Sequence, residues 1–189
     1  MFVVITQEMV DRANIEIQRR DPYIKHHFSV DHLTEHDRDM IGFLGEFAMS
    51  ELLGVDFTKQ IRDNYFTIDC GDGQIQSLVY DVKTETIPES YFEKVVNRQI
   101  NDNEKFGRRL INKGQVQLLN KYDIVIFGVF KRNDYTKWYP IGYQTTEYIL
   151  NNYEITNQRP DGGIYPFSAL PIKTSSLIDI TKIMPKRRS

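Results

Sequence analysis

The chain has 189 residues, of which 40% are hydrophobic and 26% charged, and its net charge at pH 7 is −2. This profile is typical of a folded globular domain and excludes collagen-like, low-complexity and wholly disordered chains. No apolar run approaches the roughly 18 residues of a membrane helix, and the start lacks the basic region of a secretory signal. The lone cysteine, Cys70, excludes an internal disulfide and a cysteine-based zinc site. We therefore expect a cytoplasmic protein without a membrane partner.

Isoleucine is abundant and alanine scarce, with 21 and 3 residues respectively. This bias indicates an AT-rich gene, such as that of a phage or a low-GC bacterium, and a phage protein would work in the host cytoplasm. The slightly negative net charge disfavours a dedicated nucleic-acid coat, although local basic patches still bind phosphates. Lys105, Arg108, Arg109 and Lys113 form one such patch, for which a solvated loop is an equally good interpretation.

The first half of the chain predicts two helices and then a strand pair. Residues 7–20 form an amphipathic helical pattern, and a polar, histidine-rich loop follows. From about residue 37 to residue 53, apolar positions recur at helical spacing and a glycine supplies the stop. Alternation at 65–69 and a β-rich stretch at 78–84 then predict two strands, which a glycine-rich turn joins as an antiparallel pair.

The second half predicts a helix from Pro88 to about residue 104, a buried strand at 122–130 and a strand at 137–143 that pairs with it. A short helix at 145–151 and a strand-like segment at 164–167 follow. This order predicts one α/β or α+β domain with a central mixed β-sheet flanked by helices. Its expected parts are an N-terminal helix and loop, a core and a basic tail, at residues 1–37, 38–180 and 181–189.

The second predicted strand carries an acid and a base close together, Asp81 and Lys83. They lie two residues apart, so their side chains project from the same face. Such a pair is costly to bury unless the site is open or binds a metal. For these residues taken alone, a salt bridge on an exposed sheet face is the better explanation.

The surrounding sequence favours a functional interpretation. Glu46 is the single acid in the apolar stretch Gly42–Ala48, so helical projection places it on or beside a buried face, where an acid needs a partner or a metal. Asp69 ends the first strand of the predicted hairpin. If these two carboxylates converge on Asp81, they form an oxygen-ligand site of the kind that Mg²⁺ and Mn²⁺ prefer.

The ordered set of these residues resembles the PD-(D/E)xK nuclease superfamily. A glutamate in a GFLGEFA helix precedes an aspartate, then DVK on the next strand, a helix, and the apolar strand KYDIVIFGVF. The resemblance covers about residues 38–180 and implies a restriction-endonuclease-like core. It also implies a nuclease that hydrolyses phosphodiester bonds with Mg²⁺ or Mn²⁺. DNA is the expected substrate, and we expect structure- or end-directed cutting because no appended recognition domain is evident. A homodimer would allow cuts in both strands, although the sequence does not reveal one.

The resemblance implies a role for each matching residue. Glu46 would hold the metal directly or through water, and Asp69 and Asp81 would ligate it. The backbone carbonyl of Val82 would be a further ligand. Lys83 would orient or help to deprotonate the attacking water and stabilise charge on the phosphate.

The position of the first metal-binding aspartate stays open between two residues. A tight turn at 71–73 would place Asp63 across from Asp81, whereas a longer loop favours Asp69, which we prefer. Asp72, in the turn itself, is the third choice.

Two other functions compete with a nuclease. A nuclease fold without activity would bind DNA or a protein without cutting. His32, Glu35 and His36 also match the inverted zinc-peptidase motif H-x-x-E-H, in which both histidines share a helix face and the glutamate is the base. The flanks do not start a clean amphipathic helix, and no later acid stands out as the third ligand. The sequence has neither a phosphate-binding loop nor a G-x-S-x-G motif.

Overall fold

The computed structural model describes residues 1–20, 32–61, 65 and 71–185. Within them, helices pack on a mixed β-sheet and a second, smaller sheet. The helices are α1 (Gln7–Arg20), α2 (Glu35–Leu52), α3 (Glu89–Val96) and α4 (Thr146–Asn152). The strands are β1 (Val3–Val4), β2 (Gly73–Ile75), β3 (Leu78–Ile87), β4 (Arg108–Asn112), β5 (Ile124–Lys131), β6 (Asp134–Thr145), β7 (Thr156–Gln158) and β8 (Ile164–Lys173). No helix in this part of the chain is long and apolar enough to cross a membrane.

The central sheet has five strands in the order β1-β6-β5-β3-β2. β3 and β5 run parallel through eight residue pairs, from Tyr80 opposite Ile124 to Ile87 opposite Lys131. The other neighbours in this sheet are antiparallel. Because parallel neighbours need a crossover, α3 and β4 lie in the connection between β3 and β5. The predicted mixed sheet flanked by helices is therefore confirmed.

Each face of the central sheet bounds its own hydrophobic core. On one face, Phe47 of α2 packs in a cluster with Tyr80 of β3 and with residues of α1. On the other face, Phe127 of β5 packs with residues of α3, α4 and the small sheet β4-β8-β7, including Ile172. β5 is consequently buried on both faces, as its continuous apolar run predicts.

The helix α2 approaches the sheet closely at Trp138, which is fully buried. Its Nε1 donates a hydrogen bond of 3.2 Å to Thr84 Oγ1. A Cβ on Gly45 of α2 would lie 1.9 Å from that hydroxyl oxygen, and a Cβ on Gly128 of β5 would lie 2.1 Å from Trp138 Cζ2. Glycine at both positions therefore lets the helix and the strand close around the indole ring.

Two predicted elements differ from the structure. The helix that begins after Pro88 ends at Val96 rather than near residue 104, and Arg98 shortly after it has a positive φ of 56°. A strand, β2, occupies Gly73–Ile75, where a turn and loop are predicted. The predicted strand at 65–69 lies outside the described residues except for Tyr65.

The close packing at Gly45 gives a stability prediction. Gly45→Ala is expected to lower the free energy of unfolding by about 1–3 kcal/mol, because the new methyl group overlaps Thr84. Gly42 of the same helix is the matched control, since a Cβ there meets nothing within 4 Å. Gly42→Ala should raise stability by up to about 1 kcal/mol through the lower backbone entropy of alanine. Urea unfolding measures both, and equal stability of the two variants would contradict the packing argument.

Candidate active site

β3 carries charged side chains at three alternate positions, Asp81, Lys83 and Glu85. Alternate residues of a strand share a face. Thr84, between two of them, lies on the face that α2 covers, because it is the nearest neighbour of Gly45 across that interface. The three charged side chains therefore point to the opposite face, toward α3 and the small sheet.

Asp81 and Lys83 form an ion pair on this face. Lys83 Nζ lies 3.0 Å from Oδ1 and 2.7 Å from Oδ2 of Asp81. The Asp81 side chain is 2% exposed, whereas that of Lys83 is 18% exposed. The predicted projection from one face is thus confirmed. The ammonium supplies the opposite charge that a buried carboxylate requires.

Asp72 binds the backbone of the residue between this pair. Its Oδ2 accepts a hydrogen bond of 2.7 Å from the Val82 amide, and its own amide donates to the Tyr80 carbonyl at 2.8 Å. The third choice among the aspartates is therefore the one that the structure shows against β3. Asp63 and Asp69 both lie outside the described residues, so the preference for Asp69 stays a prediction.

Glu46 lies on the α2 side of the sheet, in a small cleft that Asp72 and Tyr65 also line. Burial raises the pKa of the nearby Tyr80 to about 12, and the charges of Asp72 and Glu46 contribute to the rise. Glu46 and Asp81 thus belong to opposite faces of the sheet. Asp72 is the residue that takes part in both environments, since it lines the cleft and binds Val82.

Glu16 is a fully buried acid in the same cleft that the sequence does not single out. It pairs with Arg12 and Arg19, each at 2.8 Å, and accepts a hydrogen bond of 2.7 Å from the Tyr65 hydroxyl. A signal was present in the sequence. Glu16 continues the apolar stripe of α1 and has an arginine four residues before it and three after it, a spacing that brings side chains together on a helix.

Glu85 pairs with Arg109 of β4, so this ion pair links the two sheets. Arg109 Nη1 lies 2.7 Å from Glu85 Oε1, and the Arg109 side chain is fully buried. Burial raises the pKa of Glu85, while the charge of Arg109 acts to lower it. The interpretation of Arg109 as part of a phosphate-binding surface patch is therefore wrong, because its guanidinium is buried and pairs with Glu85 inside the protein.

The carboxylates near Val82 suit a divalent cation by their chemistry. Mg²⁺ commonly takes one or two protein carboxylates and keeps several waters, so Asp72 and Asp81 are a fitting donor pair. Within the described ranges, no group of three or more His, Cys, Asp or Glu side chains is arranged to hold a metal ion. The roles of Asp69 and of the Val82 carbonyl as ligands stay predictions.

The histidines of the H-x-x-E-H motif do not share a helix face. His32 precedes α2, which begins at Glu35, and its Nε2 lies 2.9 Å from Thr86 Oγ1. The Nε2 of His36 instead lies 3.1 Å from Asn14 Oδ1 on α1. The two imidazoles therefore contact different elements, and the helical arrangement that the zinc-peptidase interpretation requires is not present.

Comparison with protein-family models, with curated proteins and with solved structures finds no match for this chain.

The ion pair between the sheets gives a prediction about stability and pH. Arg109→Met is expected to lower the free energy of unfolding by about 3 kcal/mol at neutral pH, because Glu85 then lacks its counter-charge. The double variant Glu85→Gln, Arg109→Met should lose less, since neither charge remains. Urea unfolding of both variants measures the difference, and equal losses would contradict it.

The sign of the pH effect follows from the pKa of Glu85. Removing Arg109 takes away the influence that lowers this pKa, so the pKa rises further above the ordinary 4.5. The native state then binds a proton more tightly than the unfolded state does. The stability deficit of Arg109→Met should therefore be small below pH 4.5 and grow as the pH rises above it.

Proposed function

We propose that this protein is a divalent-metal-dependent nuclease that hydrolyses phosphodiester bonds in DNA, built on a restriction-endonuclease-like core. The observation that carries the proposal is the Asp81–Lys83 pair, in which a buried carboxylate lies within 3.0 Å of the ammonium of a partly exposed lysine side chain. The Asp72 carboxylate is bound to the amide of the intervening residue. The resemblance of the residue order to PD-(D/E)xK nucleases supports the same assignment.

In this proposal Asp72 and Asp81 would hold Mg²⁺ or Mn²⁺, with Asp69 and the Val82 carbonyl as further ligands. Glu46, which lies beside Asp72 on the other face of the sheet, would act on the ion through water rather than as a direct ligand. A bound divalent ion supplies a water of lowered pKa and neutralises charge on the phosphate. The protein fixes the donors, because Asp81 lies in the parallel β3–β5 ladder and Asp72 is bonded to two backbone positions of β3.

Lys83 provides the mobile positive charge. Its long stem is anchored on β3, and its side chain is 18% exposed, so a phosphate can reach it from solvent. The side chain would orient the attacking water and stabilise the charge that develops on the phosphate oxygens. A charged group that stabilises a transition state in this way lowers an activation barrier by about 3 kcal/mol.

A second candidate is a module with the same fold that binds DNA or a protein without cutting. The closed Asp81–Lys83 ion pair favours it, because a structural salt bridge of this geometry needs no metal. An activity assay separates the two candidates.

The protein is expected to cleave DNA in Mg²⁺ or Mn²⁺ and to stop when EDTA removes the ion. The substrate panel includes single-stranded, blunt duplex, branched and circular DNA together with RNA. Structure- or end-directed cutting predicts that DNA form, rather than a short sequence motif, decides the rate. If folded protein cleaves no member of the panel with any divalent ion, the binding module replaces the nuclease.

Substitutions on β3 should separate metal binding from chemistry. Asp81→Asn should abolish both Mn²⁺ binding, measured by calorimetry, and cleavage. Lys83→Met should leave Mn²⁺ binding nearly intact, because an ammonium is no ligand, while the cleavage rate falls about 100- to 1000-fold. Thermal unfolding of each variant checks that the fold persists. Full activity of Lys83→Met would rule out the assigned role.

Substitutions of the other aspartates identify the second ligand. Asp72→Asn should weaken Mn²⁺ binding strongly if Asp72 is that ligand, and the same test applied to Asp63 and Asp69 shows whether either replaces it. Asp134→Asn is the matched control, since Asp134 is an exposed aspartate whose carboxylate accepts hydrogen bonds from the nearby Thr136. Its Mn²⁺ affinity should equal that of the unmodified protein.

A further inference from the structure

Two cations lie close to one aromatic ring near the end of β3. Arg132 Cζ lies 5.8 Å and Lys105 Nζ 5.6 Å from the centroid of the Phe106 ring. The ring of Tyr91 packs against the same phenylalanine with a centroid distance of 5.1 Å. We call these four residues the Phe106 patch.

Neither cation of the Phe106 patch has an acidic partner in the part of the chain that the structure describes. Arg132 Nε is buried and makes no hydrogen bond there. The other described arginines each bind a carboxylate or a backbone carbonyl: Arg12, Arg19, Arg20, Arg38, Arg98, Arg108, Arg109 and Arg159. A half-buried guanidinium without an anion is costly, so an anion from outside would offset that cost.

The position of Phe106 is tied to the ion pair between the sheets, in which Arg109 is fully buried. The Phe106 backbone is left-handed, with a φ of 66°, which is uncommon for an aromatic residue. Its carbonyl accepts a hydrogen bond from Arg109, which binds Glu85 of β3. Such conformations persist where the surroundings determine them, and they cluster at functional sites. The ring that carries the two cations is thus tied to the strand that carries Asp81 and Lys83.

The patch lies on the same side of the central sheet as Asp81 and Lys83. Tyr91 and Phe106 pack against the core beneath α3 and the small sheet, the side to which the charged residues of β3 point. The Arg132 amide donates to the carbonyl of Ile87, the last residue of β3, at 2.8 Å. Ile87 lies four positions after Lys83, a distance of about 13 Å along the strand. Phosphates of a duplex strand follow one another every ~3.4 Å along the axis, so this length matches about four nucleotides.

We propose that the Phe106 patch binds the phosphate backbone of nucleic acid about four nucleotides from the bond held at Asp81 and Lys83. Arg132 donates to a phosphate through its planar fork, and Lys105 adds a second charge. The Phe106 ring holds the guanidinium in place, and Tyr91 packs against that ring. The location of the cleaved bond rests on the proposed function, whereas the binding of the backbone does not.

The test compares Arg132→Met with the matched control Arg159→Met. Both substitutions remove one positive charge and keep an apolar stem, but Arg159 already pairs with Asp161 through two 2.9 Å hydrogen bonds. Binding of a fluorescent DNA duplex is measured by anisotropy in EDTA, so that no cleavage occurs, over a series of salt concentrations. Arg132→Met should weaken binding about eightfold near 0.1 M salt and reduce the salt slope by about 0.9, the effect of one lost phosphate contact. Arg159→Met should change neither.

A second variant keeps the test decisive. Arg132→Lys retains the charge but not the fork, so it should keep the salt slope of the unmodified protein with an intermediate affinity. Unchanged binding of Arg132→Met, or equal losses in Arg132→Met and Arg159→Met, overturns the patch whether or not the protein cleaves DNA. Absence of cleavage, together with the expected losses in Arg132→Met, overturns the nuclease and leaves the patch standing.

The predicted spacing is tested with active protein. Duplexes that extend well past the cleaved bond on the patch side should show a raised KM with Arg132→Met. Duplexes that extend fewer than about four nucleotides should be cleaved equally by both proteins. An equal effect of the substitution on all lengths overturns the spacing.

Discussion

The structure depends on how charges are accommodated on β3, a strand that is covered on both faces. One face of the strand packs under α2, and the other carries Asp81, Lys83 and Glu85 toward the small sheet. Charges in such a space are stable only when they are paired. Asp81 is neutralised from its own strand by Lys83, whereas Glu85 requires Arg109 from β4. The ion pair with Glu85 therefore links the small sheet to β3. It also links Phe106 to β3, because Arg109 donates a hydrogen bond to the Phe106 carbonyl.

The opposite face of the sheet is organised by close packing rather than by charge. Gly45 and Gly128 allow α2 and β5 to close around Trp138, and this fixes the height of α2 above the sheet. Glu46 is consequently held in the cleft beside Asp72. Because Asp72 also binds the Val82 amide, one residue joins the helix side of the sheet to the Asp81–Lys83 side. The carboxylates of an active site in this region would therefore meet at the edge of the sheet beside Val82. They do not all project from one face of the sheet.

The central helix and strands were predictable because their hydrophobic patterns extend over many consecutive residues and depend only on neighbours in the sequence. The helical period of α2 and the continuous apolar run of β5 survive in the structure, as does the shared face of Asp81 and Lys83. The small sheet was not predicted in full, because β4 reads as a basic stretch. The burial of Arg109 depends on Glu85, 24 positions earlier in the chain, and no local pattern reports such a pairing. β2 was missed for a related reason, since its three residues adjoin a glycine-rich turn.

The Asp81–Lys83 pair also explains how one strand can serve both stability and the proposed chemistry. An ion pair within one strand needs no change in the backbone when its partners separate, because lysine has a flexible four-carbon stem. Lys83 can exchange Asp81 for a phosphate oxygen by moving its side chain alone, while Asp81 stays fixed in the ladder with β5. The Glu85–Arg109 pair is different, since Arg109 is fully buried and its movement would separate two sheets. Two neighbouring ion pairs on one face thus have different roles. The pair within one strand is suited to exchange partners with a substrate, and the pair between the two sheets holds the surface on which that substrate would lie.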